Sequence, residues 1–330
     1  MADRSRPAPS VDALRSLLAP TSIAVVGASE AVFTFSGAPV HNLSTHGFAG
    51  IVHPVNPKRR EVNGLPCFPS VIDIPDPVDT AVITVPAPAV VEVLEQCEQR
   101  GILSATVVSA GFGEDGAGDA GQTEQRRLEE FLARSRLRVL GPNTAGLMNL
   151  LDGYVPRAAA NHLDSTLLNA GSVALITQSG ACSNIVFNRA QAHGVGVGLM
   201  AATGGECDIS VWDLVDYAVA DERITVVMVV IEALGDSRYI KAVAERARAA
   251  RKPIVLLKLG SSELGSEVVL THSGSIAGDV AVARAAFAQW GIVQVDDFDS
   301  LWQTARLFEA WGTPDGPTGS LGVFAFSGGE

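Results

Sequence analysis

Short apolar runs, each closed by a turn and followed by a helix-like stretch, repeat along the whole chain. In the first half the runs fall at residues 22–27, 51–56, 80–85, 104–109 and 138–141. They are rich in Val, Ile and Ala, with little alternation between apolar and polar positions. That pattern predicts strands buried on both faces of a parallel sheet. Helices are predicted between them at 88–100 and 123–134, and the glycines and acids of 111–121 read as a surface loop. The rhythm lapses over 151–170, the expected linker, and then restarts. Strands are predicted at 172–177, 196–202, 225–231, 253–258 and 292–295, with helices at 181–193, 238–251, 279–289 and 299–310. The fold class that accounts for this is α/β, with two doubly wound parallel-sheet domains in series, 1–150 and 151–312.

A third element is expected late in the chain. Residues 312–319 are rich in Gly, Pro and Thr and suit a linker, and 321–326 read as a new strand ending in Ser327-Gly328-Gly329. A strand with a glycine turn normally opens a helix. The expectation for 313–330 is therefore a linker and the first strand of a further domain; the alternative is a strand that closes the second sheet.

Composition narrows the function classes. The 330 residues suit two α/β domains, and 47% hydrophobic residues supply material for both cores. A net charge of -12 argues against a protein that coats nucleic acid. Anionic ligands remain open, because helix N-termini can hold them with backbone N–H groups. Cys67, Cys97, Cys182 and Cys207 form no CxxC pair and read as reduced thiols, not as a zinc site or disulfide frame. With no apolar signal core and no uninterrupted apolar span, a cytoplasmic protein with no membrane segment is expected.

Candidate chemistry gathers at the strand ends. The first strand runs into Gly27-Ala28-Ser29, a turn of the kind that binds phosphates on backbone N–H groups, although the dinucleotide fingerprint GxGxxG is absent. The second ends in Asn56-Pro57-Lys58, the third in Val85-Pro86, the fourth in Ser109-Ala110-Gly111, and the fifth in Gly141-Pro142-Asn143. Each alone fits an ordinary turn. All five lie at the carboxyl edge of one parallel sheet, where doubly wound folds bind ligands. In the second half, Ser179 can cap the next helix while Gly180 leaves its first N–H groups open to an anion. Glu232, at the end of the strand 225–231, can orient an imidazole or stand as a solvated turn carboxylate. His272, in Thr271-His272-Ser273-Gly274-Ser275, is either a histidine in a Gly/Ser loop or a nucleophile that carries a phosphoryl group.

The segments SIAVVGAS (22–29), HPVNPK (53–58), ITVPA (83–87), VVSAGF (107–112), LGPNTAG (140–146), ITQSGA (176–181) and THSGSIAGD (271–279) carry a resemblance. In order and spacing, the sequence resembles the NDP-forming acyl-CoA synthetases, relatives of the succinyl-CoA synthetase α subunit. The resemblance implies a Rossmann-like CoA-binding domain followed by a flavodoxin-like ligase domain. It implies coenzyme A on Gly27, Ala28, Ser29, Asn56, Pro57, Lys58, Val85, Pro86, Ser109, Ala110 and Gly111, with the thiol meeting the acyl group near Pro142 and Asn143. His272 is implied as the phosphorylated histidine, Glu232 as the residue that holds it, and Ser179 and Gly180 as the helix start receiving its phosphate. The implied partners are a small carboxylic acid, an oligomeric assembly, and an ATP-grasp domain or subunit outside these residues that binds ATP/ADP with Mg2+. Departures are Gly204-Gly205, where many relatives carry Gly-Asn; Thr144, where some carry cysteine; and Ser273 and Ser275, where Thr and Ala are common. The rival readings are a CoA-binding regulatory module of a protein acyltransferase without ligase chemistry, and a dehydrogenase; the missing GxGxxG speaks against the second.

Overall fold

The computed structural model describes residues 6–114, 116–158, 168–260 and 280–313. In sequence order the first half runs α1 (Val11–Leu18), β1 (Ser22–Val26), α2 (Ala38–Thr45), β2 (Ile51–Val55), two short strands β3 (Glu61–Val62) and β4 (Leu65–Pro66), β5 (Thr80–Ile83), α3 (Ala87–Gln99), β6 (Ser104–Val107), α4 (Gly118–Arg134) and β7 (Arg138–Leu140). Asn63 and Gly64 join β3 to β4 with φ of 51° and 78°, the left-handed pair that a tight hairpin needs. The second half runs β8 (Leu147–Asn149), β9 (Val173–Thr177), α5 (Gly180–Ala192), β10 (Val197–Ala202), α6 (Val211–Ala220), β11 (Val226–Ile231), α7 (Ser237–Ala249), β12 (Ile254–Lys258), α8 (Val280–Trp290), β13 (Val293–Val295) and α9 (Phe298–Trp311).

The two sheets share one winding. The first has the order β2-β1-β5-β6-β7, all parallel. The second has the order β13-β12-β11-β9-β10-β8. Counted by its own parallel strands, each sheet reads 2-1-3-4-5, so each has a switch point beside its first strand: β1/β5 in one, β9/β11 in the other. Connections leave in opposite directions there and open a crevice at the carboxyl ends. Every residue of β1, β5, β9, β10 and β11 is buried, which explains their predominantly apolar character, with hydroxyl residues only at strand ends (Ser22, Thr80, Thr177).

Several features depart from the sequence expectations, among them helices α1 and α2 and the β3–β4 hairpin, which have no counterpart there. Strand β8 likewise has none; it pairs antiparallel with β10 and makes the second sheet mixed, although it follows the first sheet's last strand by only six residues. The expected linker is packed where it is described: Tyr154, Val155, Arg157 and Ala158 are buried. Helix α4 starts at Gly118, inside the expected surface loop. Helix α6, apolar on most faces, lacks a clean helical stripe, yet Ser210 and Asp213 form a capping box at its start. The expected strand and linker at 313–330 lie outside the described residues, apart from Thr313.

Helix α1 supplies mortar between the halves. Ser10 caps it by accepting the Ala13 N–H (3.2 Å), and Leu14, Leu17 and Leu18 enter one apolar cluster with Trp212, Leu214 and Val215 of α6. Burying each leucine contributes about 1.5–3 kcal/mol. No helix among the described residues is long and apolar enough to cross a membrane.

Candidate active site

The first carboxyl edge is a set of strand ends tied to one another. Gly27 has φ 88°, and a Cβ there would lie 2.7 Å from Thr84 Oγ1, so only glycine fits against the end of β5. Asn56 donates from its side-chain amide to Ala28 O (2.9 Å), and its Oδ1 accepts the Lys58 N–H (3.0 Å). Ser109 Oγ donates to Val85 O, and Asn143 N–H donates to Ser109 O (2.9 Å), linking the exits of β5, β6 and β7 in sequence. Pro57, Lys58, Pro86, Ala110 and Asn143 are exposed or half-buried along this edge. The structure thus gathers the sequence-predicted residues into one rim.

One detail of the sequence reading is corrected. The N–H groups of Gly27 and Ala28 donate to Val55 O (2.9 and 3.3 Å), and that of Ser29 donates to Ser36 O (3.1 Å). Glu114 accepts the N–H groups of Gly111 and Phe112. These turns close on themselves, so their N–H groups are not an open cradle for phosphate. The Ser29 and Ser36 hydroxyls, 2.9 Å apart, are polar groups at that end, and Lys58 is exposed two residues past Asn56.

The second edge faces the first. Ser179 caps α5 by accepting the Cys182 N–H (3.4 Å), and the first intrahelical bond runs from Ser183 to Ser179 O (3.1 Å). The N–H groups of Gly180 and Ala181 therefore precede the helical ladder and carry its positive end. Glu232 leaves β11 beside Gln178, whose Oε1 accepts the N–H groups of Glu232 and Ala233 (the latter 2.9 Å). Lys258 ends β12 one strand away, opposite Ile231 in register. Burial lowers its pKa, and Glu232 works the other way. His272 lies outside the described residues.

The two edges meet at a seam. Gly205 N–H donates to Pro142 O (2.8 Å) and Cys207 N–H to Gly141 O (3.1 Å). A Cβ on Gly204 would stand 2.5 Å from both Pro142 O and Asn143 O, and one on Gly180 would stand 3.2 Å from the Ala145 Cβ. Thr144 Oγ1 donates to Ala202 O (2.5 Å). The departures noted in the sequence, Gly204-Gly205 and Thr144, sit at this contact. Close backbone approach accounts for Gly204, whose φ of 64° also favours glycine.

Three residues at the seam carry no mark in the sequence. Glu206 accepts from Gln178 Nε2 (2.8 Å), Thr203 Oγ1 (2.9 Å) and Val211 N–H (2.7 Å), and burial raises its pKa against those bonds. Asp208 binds Arg138. Arg157, 2% exposed, donates to Asn184 of α5, and burial lowers its pKa to about 10. A carboxylate just past a glycine pair, or an arginine in an apolar stretch, carries no signal of its own without the fold.

Two doubly wound domains abut here at their carboxyl edges, hydrogen-bonded from the Gly205 and Cys207 N–H groups to the carbonyls of Pro142 and Gly141. Residues 21–150 match the CoA binding domain, and residues 170–308 match the succinyl-CoA ligase like flavodoxin domain. The protein is 33% identical over 328 residues to acetate–CoA ligase [ADP-forming] I subunit alpha of Pyrococcus furiosus, covering 96% of its own length and 69% of that relative. It is 34% identical over 305 residues to acetate–CoA ligase [ADP-forming] II of Archaeoglobus fulgidus, covering 92% of its own length and 44% of the relative. In structure it resembles the dinucleotide forming acetyl-coenzyme A synthetase 1 of Ca. Korarchaeum cryptofilum, in complex with phosphate and ADP. That match has a TM-score of 0.78 and 33% identity, over 88% of this protein and 61% of that one. The chain belongs to the family of ADP-forming acyl-CoA synthetases. It spans less than half the length of the Archaeoglobus fulgidus relative.

Proposed function

We propose that this chain is the CoA-binding and acyl-transferring part of an acid–thiol ligase, which joins a carboxylic acid to CoA while ATP becomes ADP and phosphate. The observation that carries the reading is the seam: hydrogen bonds from Gly205 and Cys207 set the Gly141–Asn143 segment of one edge against the Ser179–Gly180 helix start of the other. CoA lies along the first edge, on the Gly27–Ser29 turn, Asn56, Pro57, Lys58, Val85, Pro86, Ser109, Ala110 and Gly111, with its thiol toward Pro142 and Asn143.

Each step balances. A ring nitrogen of His272 takes the γ-phosphoryl group of ATP and ADP leaves. The substrate carboxylate attacks phosphorus, the N–P bond breaks, and an acyl phosphate forms. The CoA thiolate attacks the acyl carbon, the C–O bond breaks, and inorganic phosphate leaves. Glu232 orients the imidazole and stabilises positive charge on it, while the first N–H groups of α5 hold the phosphoryl oxygens. Because the N–P bond is high in energy, the relay runs near balance in both directions.

The nucleotide with Mg2+ binds an ATP-grasp domain or subunit, the partner this chain requires. The assembly is an oligomer, and the free thiols Cys67, Cys97, Cys182 and Cys207 suit a cytoplasmic setting. The test is calorimetric titration of the protein with CoA and with NAD. CoA alone is expected to bind; binding of NAD alone, or of neither to folded protein, overturns the reading.

A further inference from the structure

The loop after β10 holds Glu206 in a left-handed backbone conformation, φ 48°, which a side chain disfavours. Strain of that kind persists where surrounding bonds over-determine it, and here they do. Both neighbours are fixed to the other domain, Gly205 through Pro142 O and Cys207 through Gly141 O. The side chain ends a hydrogen-bond relay with one direction. Glu232 and Ala233 donate their N–H groups to Gln178 Oε1, which fixes the amide orientation and aims its Nε2 at Glu206 Oε2 (2.8 Å). Thr203 Oγ1 and Val211 N–H donate to Glu206 Oε1. Every donor points at Glu206, so the position needs acceptors on both oxygens, which only a carboxylate supplies.

We propose that Glu206 is a positioning residue: through Gln178 it holds the β11 exit bearing Glu232 in register with the Gly141–Asn143 segment. It rests on the relay role given above to Glu232 and on the thiol locus given to Gly141–Asn143. One short loop then ties the carboxylate that orients the phosphorylated imidazole to the place where the thiol attacks.

The polarity of these hydrogen bonds supplies the test. Glu206→Gln sets an NH2 group against a donor whichever way the amide turns. Gln178→Glu sets two carboxylates against each other. Gln178→Glu with Glu206→Gln restores complementarity at unchanged net charge: the new carboxylate at position 178 accepts from residues 232 and 233, and the new amide at position 206 donates to it while accepting from Thr203 and Val211. In the complete enzyme, this chain with its nucleotide-binding part, three quantities are measured: amide hydrogen exchange at residues 232 and 233, the rate of labelling from γ-labelled ATP, and CoA affinity. Each single variant is expected to exchange faster and label about tenfold or more slowly, with CoA affinity within about twofold. The double variant is expected to recover both to within about threefold of wild type. Wild-type labelling in both single variants overturns the proposal, as does a double variant no better than its parents. Should the single variants not fold, the folded double variant still decides. Should wild type take no label, the relay reading is what fails, and unchanged exchange in the single variants overturns the positioning role independently.

Discussion

Asp208 and Arg138 form a two-point ion pair across the domain seam, with Arg138 Nε 2.9 Å from Asp208 Oδ2 and Nη2 2.7 Å from Oδ1. The aspartate side chain is fully buried and the arginine's is 9% exposed. Asp208 also accepts the Val139 N–H (2.8 Å) and pairs with Arg6 (2.9 Å). Removing one partner of such a pair leaves a buried charge without its counter-charge. Asp208→Ala is therefore expected to lower stability by about 3–5 kcal/mol, read as a fall in urea midpoint; a loss under about 1 kcal/mol would show that the pair is not an anchor.

Gly204→Ala forces a methyl group toward two backbone oxygens, where it would stand 2.5 Å from each, at φ 64°. Neither oxygen can swing aside as a side chain would. Overpacking typically costs about 1–3 kcal/mol, and here it acts by prising Pro142 from Gly205. Acyl transfer is expected to fall more than CoA affinity. Equal losses in both would place the damage in the CoA domain.

Alkaline pH is expected to destabilise the fold through its buried thiols. Burial pushes the Cys97 thiol from 9.0 up to about 12, and it pushes Cys207 up as well. In the unfolded chain these groups ionise near pH 9, while in the native state they stay protonated. Their contribution is fully present below about pH 9 and is lost progressively above it. Urea midpoints measured from about pH 8 to about pH 10 should decline, and Cys97→Val should flatten the decline. An unchanged slope in that variant would refute the assignment to Cys97.

His272→Ala is expected to abolish acid-dependent CoA ligation in the complete enzyme and leave CoA affinity nearly intact. Alanine offers no nucleophile, and the rim from Gly27 to Asn143 belongs to the other domain. The wild-type label from γ-labelled ATP should be acid-labile and base-stable. A label that survives in the alanine variant, or resists acid, puts the phosphate elsewhere.

Glu232→Gln should slow that labelling without unfolding the protein, because an amide cannot stabilise positive charge on an imidazole as a carboxylate does. Wild-type turnover would show that Glu232 has another task.

Most of the fold was legible because buried parallel strands have a simple signature. The run Val226–Ile231 is apolar throughout, and it sits at the centre of the second sheet. Strand β8, three residues long and antiparallel, gives no such signal; only its pairing with β10 makes it a strand. At the site, turns such as Gly27–Ser29 and Ser179–Gly180 were visible because glycine and capping serine have local causes. Their internal use of N–H groups was not, since Val55 and Ser36 become acceptors only once the chain has folded. Glu206, Asp208 and Arg157 act through partners remote in sequence, Gln178, Arg138 and Asn184, and their roles are readable only in three dimensions.

Because β8 leaves the GPN segment after a few residues and joins the opposite sheet's edge, the two halves are sewn together by backbone. A hinge there would have to unzip the β8–β10 ladder and pull Thr144 from Ala202. This module is thus a fixed bench with two faces. In the relay proposed above, a phosphoryl group would meet the two faces at a set spacing, fixed by the β8–β10 ladder.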